Sequence, residues 1–189
     1  MATARQIYSM LGNETLWDVA RRCHAALRNA EIPYAIAGGV AICLHGYQRN
    51  TVDLDLIVRS EDEAAIREAL LEAGFEWSDS HREFRSSDGI PVQFLIAGSR
   101  TGRGAEAKFA DPSAANSITV REDLPVLTLE RLIEAKIACG AGDPRRTHKD
   151  FADVVELIAI HNLDSSFARH LHKSVRETYW ELVKNARAG

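Results

Sequence analysis

The sequence of 189 residues has few cysteines and no long apolar run, and each shortage excludes a class of protein. Its three cysteines, Cys23, Cys43 and Cys139, are widely spaced and form no Cys-x-x-Cys pair. We therefore expect buried, reduced thiols in a cytoplasmic protein. No apolar run approaches the roughly 20 residues that a membrane span needs. We expect a soluble protein with no membrane partner.

The chain also lacks an excess of basic residues, since 23 Lys and Arg stand against 27 Asp and Glu, a formal charge of −4. Proteins that coat nucleic acid normally carry a strong basic excess, so that role is disfavoured, although a local basic patch is still compatible with the composition. With 46% hydrophobic residues the chain is too apolar to be disordered. It is also shorter than a barrel enzyme of about 250 residues.

The pattern along the chain predicts an α/β half followed by a helical tail. Strands are expected at 34–37, 51–58, 75–77, 81–85 and 90–96, and helices at 16–29, 40–45, 60–73, 129–139, 147–160 and 165–186. Only one or two βαβ units fit the first half, so we predict an α/β (α+β) fold, a small mixed sheet flanked by helices. We divide it into a core, residues 1–125, and a helical C-terminal region, residues 126–189, packed on the core.

Two carboxylates stand two positions apart on the predicted strand 51–58. Asp53 and Asp55 therefore leave the same face of the strand, with their backbones roughly 7 Å apart. The alternating residues are expected to point into the core: Val52, Leu54 and Leu56. Hard divalent cations such as Mg²⁺ take oxygen ligands and keep waters and substrate phosphates. The pair suits such a cation, and the alternative is a solvated strand edge.

A Gly38-Gly39 pair lies where a strand gives way to a helix. Glycines at such a place let backbone amides approach a phosphate. The simpler interpretation is a tight turn. The combination of this pair with Asp53 and Asp55 is more specific than either feature alone.

The segment 36–57 resembles the signature of the DNA polymerase beta nucleotidyltransferase superfamily, in which a hydrophobic residue and Gly-Gly or Gly-Ser precede Asp-x-Asp on a strand. Its Arg49-x-Thr51-x-Asp53-x-Asp55 pattern, with the later segments 127–136 and 146–153, is similar to bacterial minimal nucleotidyltransferases. These include AbiEii-like proteins of toxin–antitoxin systems. The resemblance covers most of residues 15–160.

The resemblance implies the nucleotidyltransferase fold and a set of site residues. The nucleotide would be bound by Gly38, Gly39, Arg49 and Thr51, and two Mg²⁺ (or Mn²⁺) ions by the catalytic pair Asp53 and Asp55. The implied reaction moves a nucleoside monophosphate from a nucleoside triphosphate to a hydroxyl group of RNA, protein or a small molecule. An antitoxin or toxin is the implied protein partner.

Members of this superfamily carry a third carboxylate on a later strand, and the matching triplet here is 92–94, with Gln93 at its centre. An amide offers one neutral oxygen but neither negative charge nor basicity. Nearby substitutes are Glu83, His81 and Asp88, although each is more simply explained as a strand-surface or turn residue. The alternative to an enzyme is therefore a catalytically silent nucleotide-binding or partner-binding module of the same fold.

Two further groups of charged residues have simple interpretations. Lys149 and Asp153 are four apart on a predicted helix, which is typical of an exposed ion pair. Arg100, Arg103 and Lys108 lie in the Gly-rich segment 98–116, where they either contact phosphates or belong to a solvated loop.

Overall fold

The computed structural model describes residues 14–187, which form a seven-stranded mixed sheet flanked by helices. The strands are β1 (Tyr34–Ala37), β2 (Leu54–Val58), β3 (Glu76–Ser78), β4 (Glu83–Arg85), β5 (Pro91–Ile96), β6 (Ile118–Arg121) and β7 (Leu124–Leu127). The α-helices are α1 (Glu14–Asn29), α2 (Gly38–Leu44), α3 (Glu63–Glu72), α4 (Leu129–Gly142), α5 (Pro144–Ile160) and α6 (Arg176–Arg187). Short 3₁₀ turns cover Ser60–Asp62, Ser165–His170 and Lys173–Val175.

The strand order is β3-β4-β5-β2-β1-β7-β6, with β1 and β2 at the centre. Strand β1 is buried throughout, and it pairs antiparallel with β2 so that Ala37 lies opposite Asp55. Strand β5 runs parallel to β2, and Gln93 lies opposite Asp55 on that side. The end of β1 and the starts of β2 and β5 therefore meet at one edge of the sheet.

The predicted fold class is confirmed, while the central strand is shorter than predicted. Strand β2 begins at Leu54, so Thr51, Val52 and Asp53 form the loop that leads into it. Val52 is 69% exposed and does not join the core, whereas Leu54 and Leu56 are fully buried. The alternation that predicted the strand begins three residues before the backbone pairing does.

The C-terminal part differs from prediction at both of its ends. Strands β6 and β7 form an antiparallel hairpin that the sequence pattern did not predict, and β7 joins the sheet beside β1. The proposed boundary between residues 125 and 126 lies inside β7. At the other end, the predicted helix 165–186 consists of two 3₁₀ turns followed by α6.

The helices fill the space around the sheet. Helix α1 packs on α3 and β2, helix α2 packs on the central strands, and α5 packs between α4 and α6. Cys23 and Cys43 are buried as predicted, but Cys139 is only half-buried, and all three are free thiols. None of the helices within residues 14–187 has the length and apolar character needed to cross a membrane.

Candidate active site

The turn between β1 and α2 lies against the Asp55 carboxylate. Gly38, the first residue of α2, has φ +58°, a left-handed conformation that glycine adopts without strain. A β-carbon at Gly38 would overlap Oδ2 of Asp55. Glycine is therefore needed here for two reasons, the backbone conformation and the close approach of the carboxylate.

The second glycine packs against the loop that precedes β2. A β-carbon at Gly39 would overlap the Thr51 side chain and would lie 3.0 Å from Nη2 of Arg49. Thr51 is itself buried, and its hydroxyl donates a hydrogen bond of 3.0 Å to Oδ1 of Asp53. The glycine pair thus brings the predicted nucleotide-binding and metal-binding residues together.

The two carboxylates are similarly exposed but lie on different elements, one in the loop and one on the strand. Asp53 is half-buried at the end of the loop, and Asp55 is half-buried on β2 beside Gly38. Burial and the neighbouring Asp53 charge raise the pKa of Asp55 to about 6, against the opposite influence of Lys136, Arg146 and Lys149. A cation bound between the carboxylates would relieve their repulsion.

A buried network of ion pairs connects this loop to the C-terminal helices. Lys136 on α4 contacts both Asp150 and Asp153 on α5, at 2.8 Å each. Arg49 pairs with Asp153 at 2.8 Å, and Arg146 pairs with Asp150 at 3.0 Å. Both aspartates are almost completely buried. Three cations face two carboxylates, so the network carries a surplus positive charge near Asp55.

The network corrects the predicted surface pair between Lys149 and Asp153. Asp153 is bound by Lys136 and Arg49, while Lys149 is exposed. The signal for this was present in the sequence, because Asp150 and Asp153 are three apart and share one helix face with apolar neighbours. Their buried partner Lys136 lies in a separate helix, which helical spacing alone does not connect to them.

A cavity of about 550 Å³ lies beside the network, between the loop after β5 and the start of α5. Its charged lining consists of Arg103, Arg145 and Arg146 with Asp143. Of the three loop cations considered from the sequence, Arg103 reaches this cavity. Arg100 and Lys108 form an isolated β-bridge within the loop instead.

The position expected to carry a third carboxylate holds a hydrogen-bonded pair. Gln93 donates from Nε2 to Oε2 of Glu83 at 3.0 Å, and Arg85 contacts Oε1 of Glu83 at 2.6 Å. Glu83 is only 5% exposed, whereas His81 and Asp88 are exposed. Of the three substitutes that the sequence offered, the structure joins only Glu83 to Gln93.

The donor set at this edge suits a hard cation. Within residues 14–187 no three His, Cys, Asp or Glu side chains converge as a ready metal cluster. Mg²⁺ is commonly held by one or two carboxylates with the remaining positions taken by water and substrate phosphates. Asp53 and Asp55, both oxygen donors, fit that requirement.

The family of the chain follows from sequence comparison. The model of the aminoglycoside-2''-adenylyltransferase family matches residues 20–157, well over half of the chain. No curated protein sequence matches the chain. The matched residues contain the glycine pair, both aspartates of the candidate site and the whole ion-pair network.

Solved structures show the same fold at low sequence identity. A nucleotidyltransferase candidate from Thermotoga maritima is 19% identical, with 74% of this chain and 93% of that chain covered and a TM-score of 0.52. The antibiotic-resistance factor ANT(2'')-Ia is 16% identical over 92% of this chain and 94% of its own, with a TM-score of 0.52. A nucleotidyltransferase candidate from Helicobacter pylori is 17% identical over 89% and 90%, with a TM-score of 0.53.

Proposed function

The chain belongs to the aminoglycoside-2''-adenylyltransferase family and is a nucleotidyltransferase, and we propose that it transfers the adenylyl group of ATP, with Mg²⁺, to a hydroxyl group of an amino sugar. The observation that carries this proposal is the packing of the Gly38-Gly39 turn against Asp55 and Thr51. That contact joins a turn able to approach phosphates to a carboxylate pair able to hold a cation.

In this proposal the cation is held by Asp53 and Asp55. When bound there, it would neutralise charge on the phosphates and on the departing pyrophosphate. Thr51 keeps Asp53 in place through its hydroxyl hydrogen bond. Gly38 leaves the Asp55 carboxylate free of steric obstruction.

The triphosphate is proposed to lie between the glycine turn and the cationic residues of α5. Arg146 and Lys149 both influence the Asp55 carboxylate electrostatically, so they are close enough to act on an anion bound beside it. Arg49 is held by Asp153 in a two-point ion pair. Its proposed role is to support Gly39 and the loop before β2, next to the nucleotide.

The acceptor hydroxyl oxygen is proposed to attack the α-phosphorus in line with the departing pyrophosphate: the new P–O bond forms as the bond to pyrophosphate breaks, the adenylyl group is transferred, and the hydroxyl proton is lost to solvent. The amino-sugar acceptor comes from the name of the family. RNA and protein hydroxyl groups are the other acceptors compatible with the reaction. A toxin–antitoxin role, an antitoxin or toxin partner and a cytoplasmic location stay predictions from the sequence.

An acceptor panel tests the proposal. Purified protein is incubated with α-labelled ATP, Mg²⁺ and, separately, a 2''-hydroxyl aminoglycoside, total tRNA or the protein alone, and labelled products are separated by chromatography. We expect label on the aminoglycoside. Label on RNA or protein would replace the acceptor and keep the reaction. Tight binding of ATP and Mg²⁺ without transfer to any acceptor would favour the silent module.

The base of the nucleotide is tested in the same assay. The four nucleoside triphosphates are compared at equal concentration, and we expect ATP to be preferred. A preference for another triphosphate would correct the adenylyl assignment while leaving nucleotidyl transfer in place.

A further inference from the structure

Three side chains with oxygen atoms form a row across neighbouring strands at the active-site edge. Asp55 on β2 lies opposite Gln93 on β5 in the parallel pairing, so both side chains leave the same face. Strand β4 pairs with β5 through Phe84 and Val92, which brings Glu83 beside Gln93. The hydrogen bond between Gln93 and Glu83 completes the row.

The amide of Gln93 is oriented by this row. Its nitrogen donates to Glu83 on one side. Because Glu83 engages the amide nitrogen, the amide oxygen is left to accept a hydrogen bond from, or to coordinate, another group. The neighbour on the side away from Glu83 is Asp55. Gln93 can thus present a neutral oxygen toward the carboxylate pair.

Glu83 is built into the fold as a buried charge. Its side chain is 7% exposed, and Arg85 and Gln93 bind one carboxylate oxygen each. Arg85 is 39% exposed at its side chain, so its charge is partly screened by solvent. A buried carboxylate is costly unless it is paired, and a surface hairpin has little reason to bury one for stability alone.

We propose that Glu83 is a positioning residue of the active site: it orients Gln93 as a neutral oxygen ligand of the divalent cation and supplies, one strand farther out, the negative charge that the Gln93 position lacks. This inference rests on the proposed function. Carboxylates that hydrogen-bond a metal ligand from behind fix its orientation and strengthen it as a donor. In this arrangement the charge acts through the amide of Gln93.

Spacing across the sheet agrees with this role. Neighbouring strands are about 4.8 Å apart, so the backbones of Asp55 and Glu83 are separated by roughly 10 Å. Glu83 therefore does not need to contact the cation that Asp55 holds. Gln93 lies between the two and connects them.

The test measures Mn²⁺ binding by electron paramagnetic resonance, with and without ATP, in the full chain. Glu83→Gln removes the charge and keeps the side-chain shape, and we expect Mn²⁺ affinity to fall by about 10- to 100-fold. Glu76→Gln, an exposed change on the neighbouring strand β3, is the matched control and should leave the affinity unchanged. Wild-type affinity in a folded Glu83→Gln protein would overturn the inference.

A charge-exchange variant keeps the test decisive if Glu83→Gln alone fails to fold. The double change Glu83→Gln with Gln93→Glu preserves one carboxylate and one amide but moves the charge next to Asp55. We expect Mn²⁺ affinity at least equal to that of the wild type. A weaker affinity would overturn the inference, because the charge would then be without effect on the cation.

The proposed function and the role of Glu83 can be disproved independently. A wild-type protein that transfers nucleotides while Glu83→Gln binds Mn²⁺ normally disproves the role of Glu83 alone. Conversely, loss of Mn²⁺ binding in Glu83→Gln, in a protein that transfers no nucleotide to any acceptor, disproves the proposed reaction and supports the role of Glu83.

Discussion

Gly38 lies so close to Asp55 that a β-carbon at position 38 would overlap the Asp55 carboxylate. The contact joins the end of β1 to the start of β2 at the edge where the candidate site lies. This contact explains why position 38 holds glycine, since the Asp55 carboxylate occupies the space that a side chain would need.

Gly38→Ala is therefore expected to destabilise the protein by more than the backbone conformation accounts for. Gly98 has φ +78° with open space around its β-carbon position, so Gly98→Ala reports the conformational strain alone. We expect the alanine at Gly38 to cost about 1–3 kcal/mol more in urea denaturation, the usual cost of overpacking. Equal costs would show that the contact with Asp55 is easily relieved.

Replacing Asp55 by asparagine should preserve or raise stability in the absence of metal. Burial and the charge of Asp53 raise the pKa of Asp55 to about 6, so at pH 7.5, where the carboxylate is ionised in both states, its charge lowers the stability of the folded protein. The neutral amide removes this cost, and we expect a gain of up to about 3 kcal/mol at pH 7.5. The free energy of unfolding from urea titration measures it.

Asp150→Asn is the matched contrast for that change. Asp150 is fully buried and bound by Lys136 and Arg146, so losing its charge should destabilise the fold. If Asp55→Asn and Asp150→Asn were equally destabilising, Asp55 would be part of the structural network, and its proposed role as a metal ligand would lose support.

The stability of the fold should depend strongly on Lys136, the lysine of the buried ion-pair network. Lys136→Met leaves Asp150 and Asp153 facing each other with less compensating charge, and we expect a loss of about 3–5 kcal/mol. Lys173→Met is the control, because Lys173 is exposed and its 3.9 Å pair with Glu106 should contribute less than about 1 kcal/mol. Thermal unfolding of the two variants compares these effects. Similar melting temperatures would contradict the structural role of the network.

His45 makes the fold sensitive to acid. It is 3% exposed, and burial lowers its pKa to about 4, although a hydrogen bond with the Leu127 carbonyl and the charge of Glu130 act in the other direction. Arg121 and His161 lower the pKa further. Because the unfolded histidine takes up a proton below about pH 6.5, stability should fall as the pH decreases from 6.5 to 4.

The expected loss from this histidine between pH 7 and pH 5 is about 2 kcal/mol, by urea denaturation at the two pH values. In His45→Gln an amide can still donate to the Leu127 carbonyl but does not titrate. Its stability should therefore change less over this range. The same pH dependence in His45→Gln and in the wild type would exclude His45 as the cause.

The sequence predicted the sheet centre and the site edge because both leave local patterns. Alternation and buried apolar residues indicated β1 and β2, and Gly38-Gly39 followed by Asp53 and Asp55 indicated the chemistry. The start of β2 was predicted too early, because residues 51–53 continue the alternation without the backbone pairing that defines a strand.

The remaining features depend on contacts between distant segments. The hairpin of β6 and β7 was missed because its strands have only four residues each and Pro125, which lies within β7, was interpreted as the boundary before a helical region. The link of Arg49 to Asp153 spans 104 residues, and that of Gln93 to Glu83 depends on strand register. Neither leaves a periodic signal in the sequence, so both required the folded structure.

Nucleotidyl transfer that depends on Asp53 is tested most directly by the release of pyrophosphate. The release is measured with ATP, Mg²⁺ and an acceptor, in the wild type and in Asp53→Asn. Asp53 lies in the loop before β2, outside the core, so its change should leave the core intact. We predict release by the wild type and a rate lower by about 10²- to 10³-fold in the variant, equivalent to roughly 3–4 kcal/mol of transition-state stabilisation. Equal rates in the two proteins would contradict the role of Asp53. No release by the wild type with any nucleoside triphosphate and acceptor would contradict nucleotidyl transfer.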